Sequence, residues 1–322
     1  MHSSSPRVSV GIPVYNGENY LEEAMRSVLA QSFDDLELIV SDNASTDRTP
    51  EIVGDLAASD PRVRCLRNER NLGAAPNYNR AWAAARGTYF KWLAHDDRML
   101  PGYLEATVAA LEAAPDAVLC NTVVEYIDGA GRHIGVYDSG LRSADRRSPA
   151  ERFAAMILRS HSCVDFFGLV RRSAMENSLL HGPFHGADRA FLAQMALRGR
   201  LIQLDRPLVQ MREHESRYTR RHASLVERMR WHDASRAGRL VFPTWRLYAE
   251  YVKMVRQEPL PVGERLRCWS VLARWWFVNW NAVRAGVDIA AVAAPGLVGF
   301  AERVKTRMFG AAPGHFHQPH SH

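Results

Sequence analysis

The chain has 322 residues, is 47% hydrophobic and 24% charged, and carries a formal charge of +6 from 41 basic and 35 acidic residues. That is globular composition with length for roughly two domains, and it excludes a disordered or fibrous chain. Cys65, Cys120, Cys163 and Cys268 are scattered without a CxxC pair, which argues against a disulfide scaffold or structural zinc and for a reduced, cytoplasmic protein. The start "MHSSSPRVSV" lacks a signal-peptide core, and no apolar run reaches the ~18 residues of a spanning helix. The basic excess suits anionic partners such as nucleotide phosphates or an anionic membrane face.

"RVSVGIPVYN" predicts a buried strand from Val8 to Pro13. Asn19 reads as an N-cap, with Glu22 three residues on, before the helical pattern Leu21, Ala24, Met25, Val28, Leu29. "LELIVSD" is a second strand ending at Asp42, and Thr49-Pro50 opens a second helix. "VRCLRNE" is a third strand. "PNYNRAWAAARG" is a helix with Gly87 as its stop. "TYFKWLA" is a fourth strand delivering His95, Asp96 and Asp97; Pro101 starts a helix to about Ala114, and "AVLCNTVVEYI" is a fifth strand. Alternating strands and helices of this length predict an α/β domain with a mostly parallel sheet flanked by helices. Ligands of such sheets sit beyond the carboxyl ends of the strands. Asn16, Asp42, Asn68 to Asn71, and Asp96-Asp97 all fall at such ends.

The second half changes character. "DGAGRHIGVYD" reads as a hairpin, "SPAERFAAMIL" as a helix with a capping box of Ser148 and Glu151, and "CVDFFGLVRR" as a strand. "GADRAFLAQMALRG" is a helix stopped at Gly199, and "LIQLDRPLVQMREH" gives two short strands around Pro207. Beyond about Arg220 the pattern is helical. The expected division is 1–220 catalytic, 221–310 helical, and 311–322 a disordered His-rich tail.

Each candidate residue has a plain alternative. Asp42 can accept hydrogen bonds from a nucleobase or simply form an Asx-turn or helix cap leaving the strand. Asp96 and Asp97 repel unless a cation is near, and Mg²⁺ or Mn²⁺ shared with substrate phosphates would relieve them. Otherwise Asp97 caps a turn and Asp96 is solvated. Asp188 at a helix start suits either the helix dipole or a general base. His214 and Arg212 are surface residues or ligand contacts. GxGxxG, the P-loop, GxSxG and HExxH are all absent, so the matching dehydrogenase, NTPase, hydrolase and metalloprotease readings lack support. A nucleotidyltransferase would need a Gly-rich, Arg-Lys loop near the N-terminus, which is also missing. No nucleic-acid partner is expected.

Together these motifs resemble the inverting glycosyltransferases of family 2, with the nucleotide-diphospho-sugar transferase (GT-A) fold, from about Val8 to Ser216. The order strand, P-x-Y-N, helix, strand, D-[ND]-x-S-x-D carries the likeness. The resemblance implies that Pro13, Tyr15 and Glu18 flank the nucleotide and that Asp42 reads the base. It places Asn71, Gly73 and Asn79 under the nucleoside and diphosphate of a UDP-, GDP- or dTDP-sugar. It makes "WLAHDD" the D-x-D slot, with Asp96 on the Mn²⁺ or Mg²⁺ side, Asp97 helping, and Arg212 and His214 closing over metal or diphosphate. Asp188 becomes the catalytic base for a hydroxyl acceptor. Ala94 stands where the first acid of D-x-D is expected, and Ala187 where the family has Glu. Those departures keep a second reading open, a catalytically weak or inactive sugar-nucleotide-binding assembly partner.

"ERLRCWSVLARWWFVNWNAVRAG" puts Leu266, Trp269, Leu272, Ala273, Trp276, Phe277, Trp280 and Val283 on one side and Arg267, Ser270, Arg274, Asn281 and Arg284 on the other. Two expectations follow for residues 265–300. One is peripheral contact with the inner face of the cell membrane, where a lipid-linked acceptor would be met. The other is packing on the catalytic domain or a homodimer partner.

Overall fold

A computed structural model describes residues 5–215, 217 and 242–293. The helical reading of 218–241, the segment 294–310 and the tail 311–322 lie outside the described residues. Strands β1 (Val8–Val14), β2 (Leu36–Asp42), β3 (Val63–Arg67) and β4 (Tyr89–Trp92) alternate with helices α1 (Leu21–Leu29), α2 (Thr49–Ser59) and α3 (Ala74–Ala83). They continue as β5 (Arg98–Met99), α4 (Tyr103–Ala113), β6 (Ala117–Asp128), β7 (His133–Tyr137), α5 (Pro149–Ile157), β8 (Leu169–Arg171), α6 (Arg172–Met175), α7 (Ala187–Arg198) and β9 (Arg200–Glu213). Helices α8 (Pro243–Gln257), α9 (Val262–Trp275) and α10 (Asn281–Ala293) follow.

The strands form one sheet in the order β3-β2-β1-β4-β8-β6-β9-β5, with β7 paired to β6. β1 to β4 are mutually parallel, and β6 and β9 share their direction. β8, β5 and β7 run against them. The expected α/β architecture with a mostly parallel sheet is what the chain adopts. Its middle strands are apolar because helices cover both faces. One core, with Val10, Ile12 and Val40, lies under α1, α2 and α4. The other, with Phe90, Trp92, Phe166 and Phe191, lies under α3, α5 and α7.

Pro13 is tolerated inside β1 because pairing with β4 stops at Gly11 and Trp92, leaving Pro13 a neighbour on the β2 side alone. Several boundaries differ from the sequence reading. Asn19 does not cap α1; the Gly17 carbonyl accepts the Tyr20 and Leu21 N–H groups instead. α3 ends at Ala83, four residues before Gly87. Gly87 serves a different need: a Cβ there would lie 2.7 Å from the Ser9 nitrogen, so only glycine lets the chain pass β1. "CVDFF" is a 3₁₀ turn rather than a strand. "LIQLDRPLVQMREH" lies in one strand, not two, because β9 absorbs Pro207 at a register shift against β6.

The C-terminal helices share the second core: Tyr251, Met254, Val255, Cys268, Leu272 and Trp275 are buried in it. The Ser148–Glu151 box is only half formed. Ser148 accepts the Glu151 N–H, while Glu264 of α9 takes the Ser148 hydroxyl at 2.6 Å and the Ala150 N–H at 3.0 Å. Glu258, buried at the end of α8, holds Arg198 at 2.8 Å and accepts from Gln194.

A polar chain crosses the sheet interior. Lys91 of β4 is fully buried, donates to the Phe167 carbonyl, and sits 3.3 Å from the Tyr103 hydroxyl and 4.4 Å over that ring. The Tyr103 hydroxyl meets Asn121, whose amide donates to Asp165 at 2.9 Å. Burial lowers the Lys91 ammonium from 10.5 to about 7, against the opposing charge of Asp97. Burial raises Asp165 to about 6 against its hydrogen bond from Asn121. Between pH 7 and 10.5 the unfolded chain therefore binds the Lys91 proton that the folded chain has shed. That contribution makes stability rise with pH by up to about 1.4 kcal/mol per unit. Urea unfolding of Lys91→Met at about pH 7.5 and 9.5 should show a shallower rise than the parent chain. Identical slopes would exclude a depressed lysine.

Candidate active site

The parallel strands bring four polar ends to one edge of the sheet. Two loops are stitched there. Asn16, at φ 52°, accepts the Thr46 N–H at 2.9 Å and donates its own N–H to Ser45. Gly17 N–H donates to Thr49, and Glu18 is tied to Asp47 and Arg48 by one bond each way. Tyr15 is left 46% exposed at the rim, beside the end of β1.

One oxygen of Asp42 accepts the Ser45 N–H at 2.9 Å, three residues on, which is the cap-type bond and not the two-residue bond of an Asx-turn. Its other oxygen is buried, 3.1 Å from Arg67 Nη1 in an ion pair, with no aligned hydrogen-bond donor. An asparagine lattice lies behind it. Asn43 donates to Asn71 and to the Gly73 carbonyl and accepts from Asn68 and the Leu72 N–H. Asn77 donates to the Ser41 carbonyl and accepts the Ser41 hydroxyl. Asn71 also accepts the Gly73 N–H, and Gly73, at φ 88°, starts α3. Asn71 and Gly73 thus shape the loop above the Asp42 end. The sequence reading missed Asn43 and Asn77; the available signal was the density of asparagines at the strand ends for Asn43 and in the first turn of α3 for Asn77.

At the end of β4 the two aspartates take different environments. Asp96 Oδ2 lies 2.9 Å from His214 Nε2. Burial alone would raise its carboxyl, but His95, the His214 hydrogen bond and Arg217 outweigh that and hold it well below the usual range. Asp97 is turned inward, 4% exposed, and accepts the Arg212 N–H at 2.9 Å. Burial and the neighbouring Asp96 charge raise it to about 7. The pair relieves its repulsion by pushing Asp97 toward its protonated form. His95 packs on the first loop: a Cβ on Gly17 would lie 2.7 Å from its ring.

Arg212 is built into the protein. It is 2% exposed, and its guanidinium bonds the carbonyls of Asp96, Asp128 and Gly129, pairs with Glu23, and stands 4.4 Å over the Tyr20 ring. The guanidinium thus ties the Asp96 turn to the β6–β7 turn and to α1. Asn79 bonds the His181 backbone with both ends of its amide.

Asp188 sits in the first turn of α7, which Gly186 opens at φ 90°. Its Oδ1 accepts the Arg189 N–H at 2.8 Å, and the Cys163 thiol is beside it. Ala187, where the family has an acid, is fully buried, so a carboxylate there would lose its water without a built partner. Tyr78 joins the two regions. Burial raises its phenol, and the negative charges of Asp96, Asp97 and Asp188 all add to the rise. All three carboxylates thus act electrostatically on the Tyr78 phenol.

The sequence profile of glycosyl transferase family 2 matches residues 9–179, more than half of the chain. The chain belongs to that family. A β-1,3-glucosyltransferase of Campylobacter jejuni, named for the acceptor GalNAc(5)-diNAcBac-PP-undecaprenol, is 28% identical over 182 residues, covering 56% of this chain and 57% of that protein. A putative glycosyltransferase of Bacillus subtilis, EpsH, is 28% identical over 183 residues, covering 56% and 52%. The chain thus spans little more than half the length of these two relatives. Among solved structures, S. aureus TarS in complex with UDP-GlcNAc superposes with a TM-score of 0.59 at 17% identity, covering 84% of this chain and 72% of that one. The mannosyltransferase PcManGT of Pyrobaculum calidifontis, in complex with GDP-Man and Mn²⁺, gives 0.55 at 19% identity, covering 96% and 84%. These likenesses show the GT-A fold.

Among the described residues no cluster of three or more His, Cys, Asp or Glu side chains could hold a metal by itself. Asp96 and His214 do fit a divalent cation completed by phosphate oxygens and water. One is an ionised carboxylate, the other an imidazole nitrogen in contact with it.

Proposed function

We propose that this family 2 protein is an inverting glycosyltransferase that moves a sugar from a nucleoside-diphosphate sugar to a hydroxyl acceptor. The observation that carries the reading is that the family 2 profile falls on a parallel sheet whose strand ends present Asp42 and the Asp96–His214 pair at one edge.

In this reading the nucleoside lies over the edge formed by Pro13, Tyr15, Glu18, Asp42 and the Asn71–Gly73 loop. Asp42 reads the base by exchanging the Arg67 contact of its buried oxygen for a base N–H. Asp96 and His214 are the residues that would hold Mn²⁺ or Mg²⁺, and such an ion supplies positive charge beside the diphosphate. Asp188 accepts the proton of the acceptor hydroxyl as its oxygen attacks the anomeric carbon. The carbon–oxygen bond to the diphosphate breaks with its electrons on the leaving nucleoside diphosphate, and the configuration inverts. A thermal-shift screen of UDP-, GDP- and dTDP-sugars with Mn²⁺ tests this. One donor series should raise the melting temperature and be turned over. Binding without any transfer or hydrolysis would favour the non-catalytic assembly partner.

The acceptor side favours a lipid-linked substrate met at the inner face of the membrane. No helix among the described residues is long and apolar enough to cross a bilayer. The C-terminal helices carry a packed face and an exposed apolar one. Cys268, Val271, Leu272 and Trp275 are buried in the protein, while Leu266, Trp269, Phe277, Trp280 and Val283 stay exposed, Phe277 by 88%. Exposed Arg267 and Arg274 lie beside this stripe, and the pairing suits an anionic lipid surface. Wild-type protein should co-sediment with phosphatidylglycerol vesicles. Phe277→Ser combined with Trp280→Ser should weaken that by at least about tenfold, given ~1.5–3 kcal/mol per buried large side chain. Failure of the parent chain to bind anionic vesicles would leave only the packing role.

A further inference from the structure

We infer that Asn79 is a positioning residue that sets the catalytic base through the His181 peptide; the inference rests on the assignment of Asp188 above. Asn79 lies on α3, the helix that begins at the donor-side loop. Its amide makes a two-way clamp with a residue 102 positions away. Nδ2 donates to the His181 carbonyl at 3.1 Å, and Oδ1 accepts the His181 N–H at 3.0 Å. Both polar ends of the side chain are consumed by this one residue's backbone. An asparagine suits the task because its amide offers a donor and an acceptor on one short, planar group.

The clamp holds a segment that Arg198 also ties, through the Glu176 and Asn177 carbonyls. Between α6 and α7 the chain has no regular strand or helix, and Asn177, Leu180 and Gly186 all adopt positive φ. Its local ties are short. Leu179 N–H donates to Gln194, Phe184 N–H to the Gly182 carbonyl, and Ala187 N–H to the Phe184 carbonyl. The clamped residue, His181, is 5% exposed, with its ring 4.7 Å from Tyr78 and 5.4 Å from Phe166. Farther along, the same segment delivers Asp188.

The other end of the connection reaches β4. The carbonyl of Tyr78, the residue before Asn79, accepts the Trp92 indole N–H at 2.9 Å. Trp92 is the last residue of β4, the strand that leads to Asp96, and it stacks on Phe166 at 4.7 Å. Tyr78 and Asn79 thus fasten the strand bearing the diphosphate-side acid and the segment bearing the base to the same turn of α3. The separation between leaving group and base is fixed by adjacent residues of one rigid helix.

Asn79→Ala should leave affinity for UDP, GDP or dTDP with Mn²⁺, measured by calorimetry, within about twofold, because no donor contact is removed. Turnover, read as nucleoside diphosphate released from the sugar nucleotide, should fall at least about tenfold in kcat with little change in donor KM. The decisive comparison is the double variant. With Asp188→Asn present, Asn79→Ala should cost nothing further, since a misplaced base and an absent one are equivalent. Amide hydrogen exchange should quicken across 181–188 and stay unchanged in β1 and β2. Unchanged exchange across 181–188, or equal losses in both backgrounds, overturns the role of Asn79. Full turnover in Asp188→Asn alone instead overturns the base assignment on which it rests.

Discussion

Asp188→Asn should lower transfer by about 10²–10⁴-fold, the range a positioned general base contributes, while donor affinity stays within about twofold. The substitution is conservative where it needs to be. Asn keeps an oxygen for the Arg189 N–H, the bond that Asp188 Oδ1 accepts at 2.8 Å. The rest of α7 is buried from Ala190 to Leu197, so the helix does not depend on this side chain. What is lost is a site for the proton of the acceptor hydroxyl. Because the group acts in the transition state, kcat and kcat/KM should fall together. Thermal unfolding within about 2 °C of the parent would show that the loss is chemical. Full turnover by a folded Asp188→Asn variant would remove Asp188 from the reaction. Slow donor hydrolysis that survives the substitution fits the reading, since water can attack without this base when the leaving group remains stabilised.

The elements that run in the period of their structure were readable from the residue pattern alone. β1 and β2 are mostly apolar because both faces are covered; the end of β2 at Asp42 was readable, and β1 runs one residue past the expected Pro13, to Val14. α7 was readable from Gly186 and Gly199, which bound it. Misreadings arose where a distant contact decides the local form. Gly87 looks like a helix stop, yet it is glycine because β1 passes within reach of any Cβ. Pro207 looks like a strand breaker, yet β6 is long enough to pair on both sides of it.

The site shows the same division. That Asp42 and Asp96 share an edge follows from strand order, and strand order from the alternation of elements. Which polar group faces inward does not follow. Asp97 and Arg212 are consumed by one another's backbone neighbourhood, a pairing across 115 positions that no local pattern announces. Asn79 and His181 are 102 positions apart. The stripe of residues 266–280 illustrates a third case. Helical period correctly marks an amphipathic segment, but two apolar faces exist, and only the packing of Leu272 and Trp275 tells which one the protein uses itself.

Asp96→Ala should abolish the metal dependence of donor binding. Asp96 carries most of any cation site, because Ala94 supplies no carboxylate and Asp97 is turned inward onto the Arg212 N–H. Removing it leaves His214 without its 2.9 Å partner, and a single imidazole is a poor holder for a hard cation. In the parent chain, Mn²⁺ should tighten binding of whichever of UDP, GDP and dTDP the screen selects by at least about tenfold, or about 1.4 kcal/mol. In the variant, titrations with and without Mn²⁺ should coincide. The substitution also removes the charge that, after burial, does most to raise Asp97, so the Asp97 carboxyl should move back toward its ordinary range. Asp96→Asn separates charge from shape. It retains a polar group beside His214 yet removes the anionic ligand, and it should behave like the alanine variant with Mn²⁺. If the parent chain binds the nucleotide equally well with and without Mn²⁺, the acid at the end of β4 is not a metal ligand. Asp96 would then be a structural acid that His95, His214 and Arg217 keep ionised, and neutralisation of the diphosphate would fall to the protein's own cations.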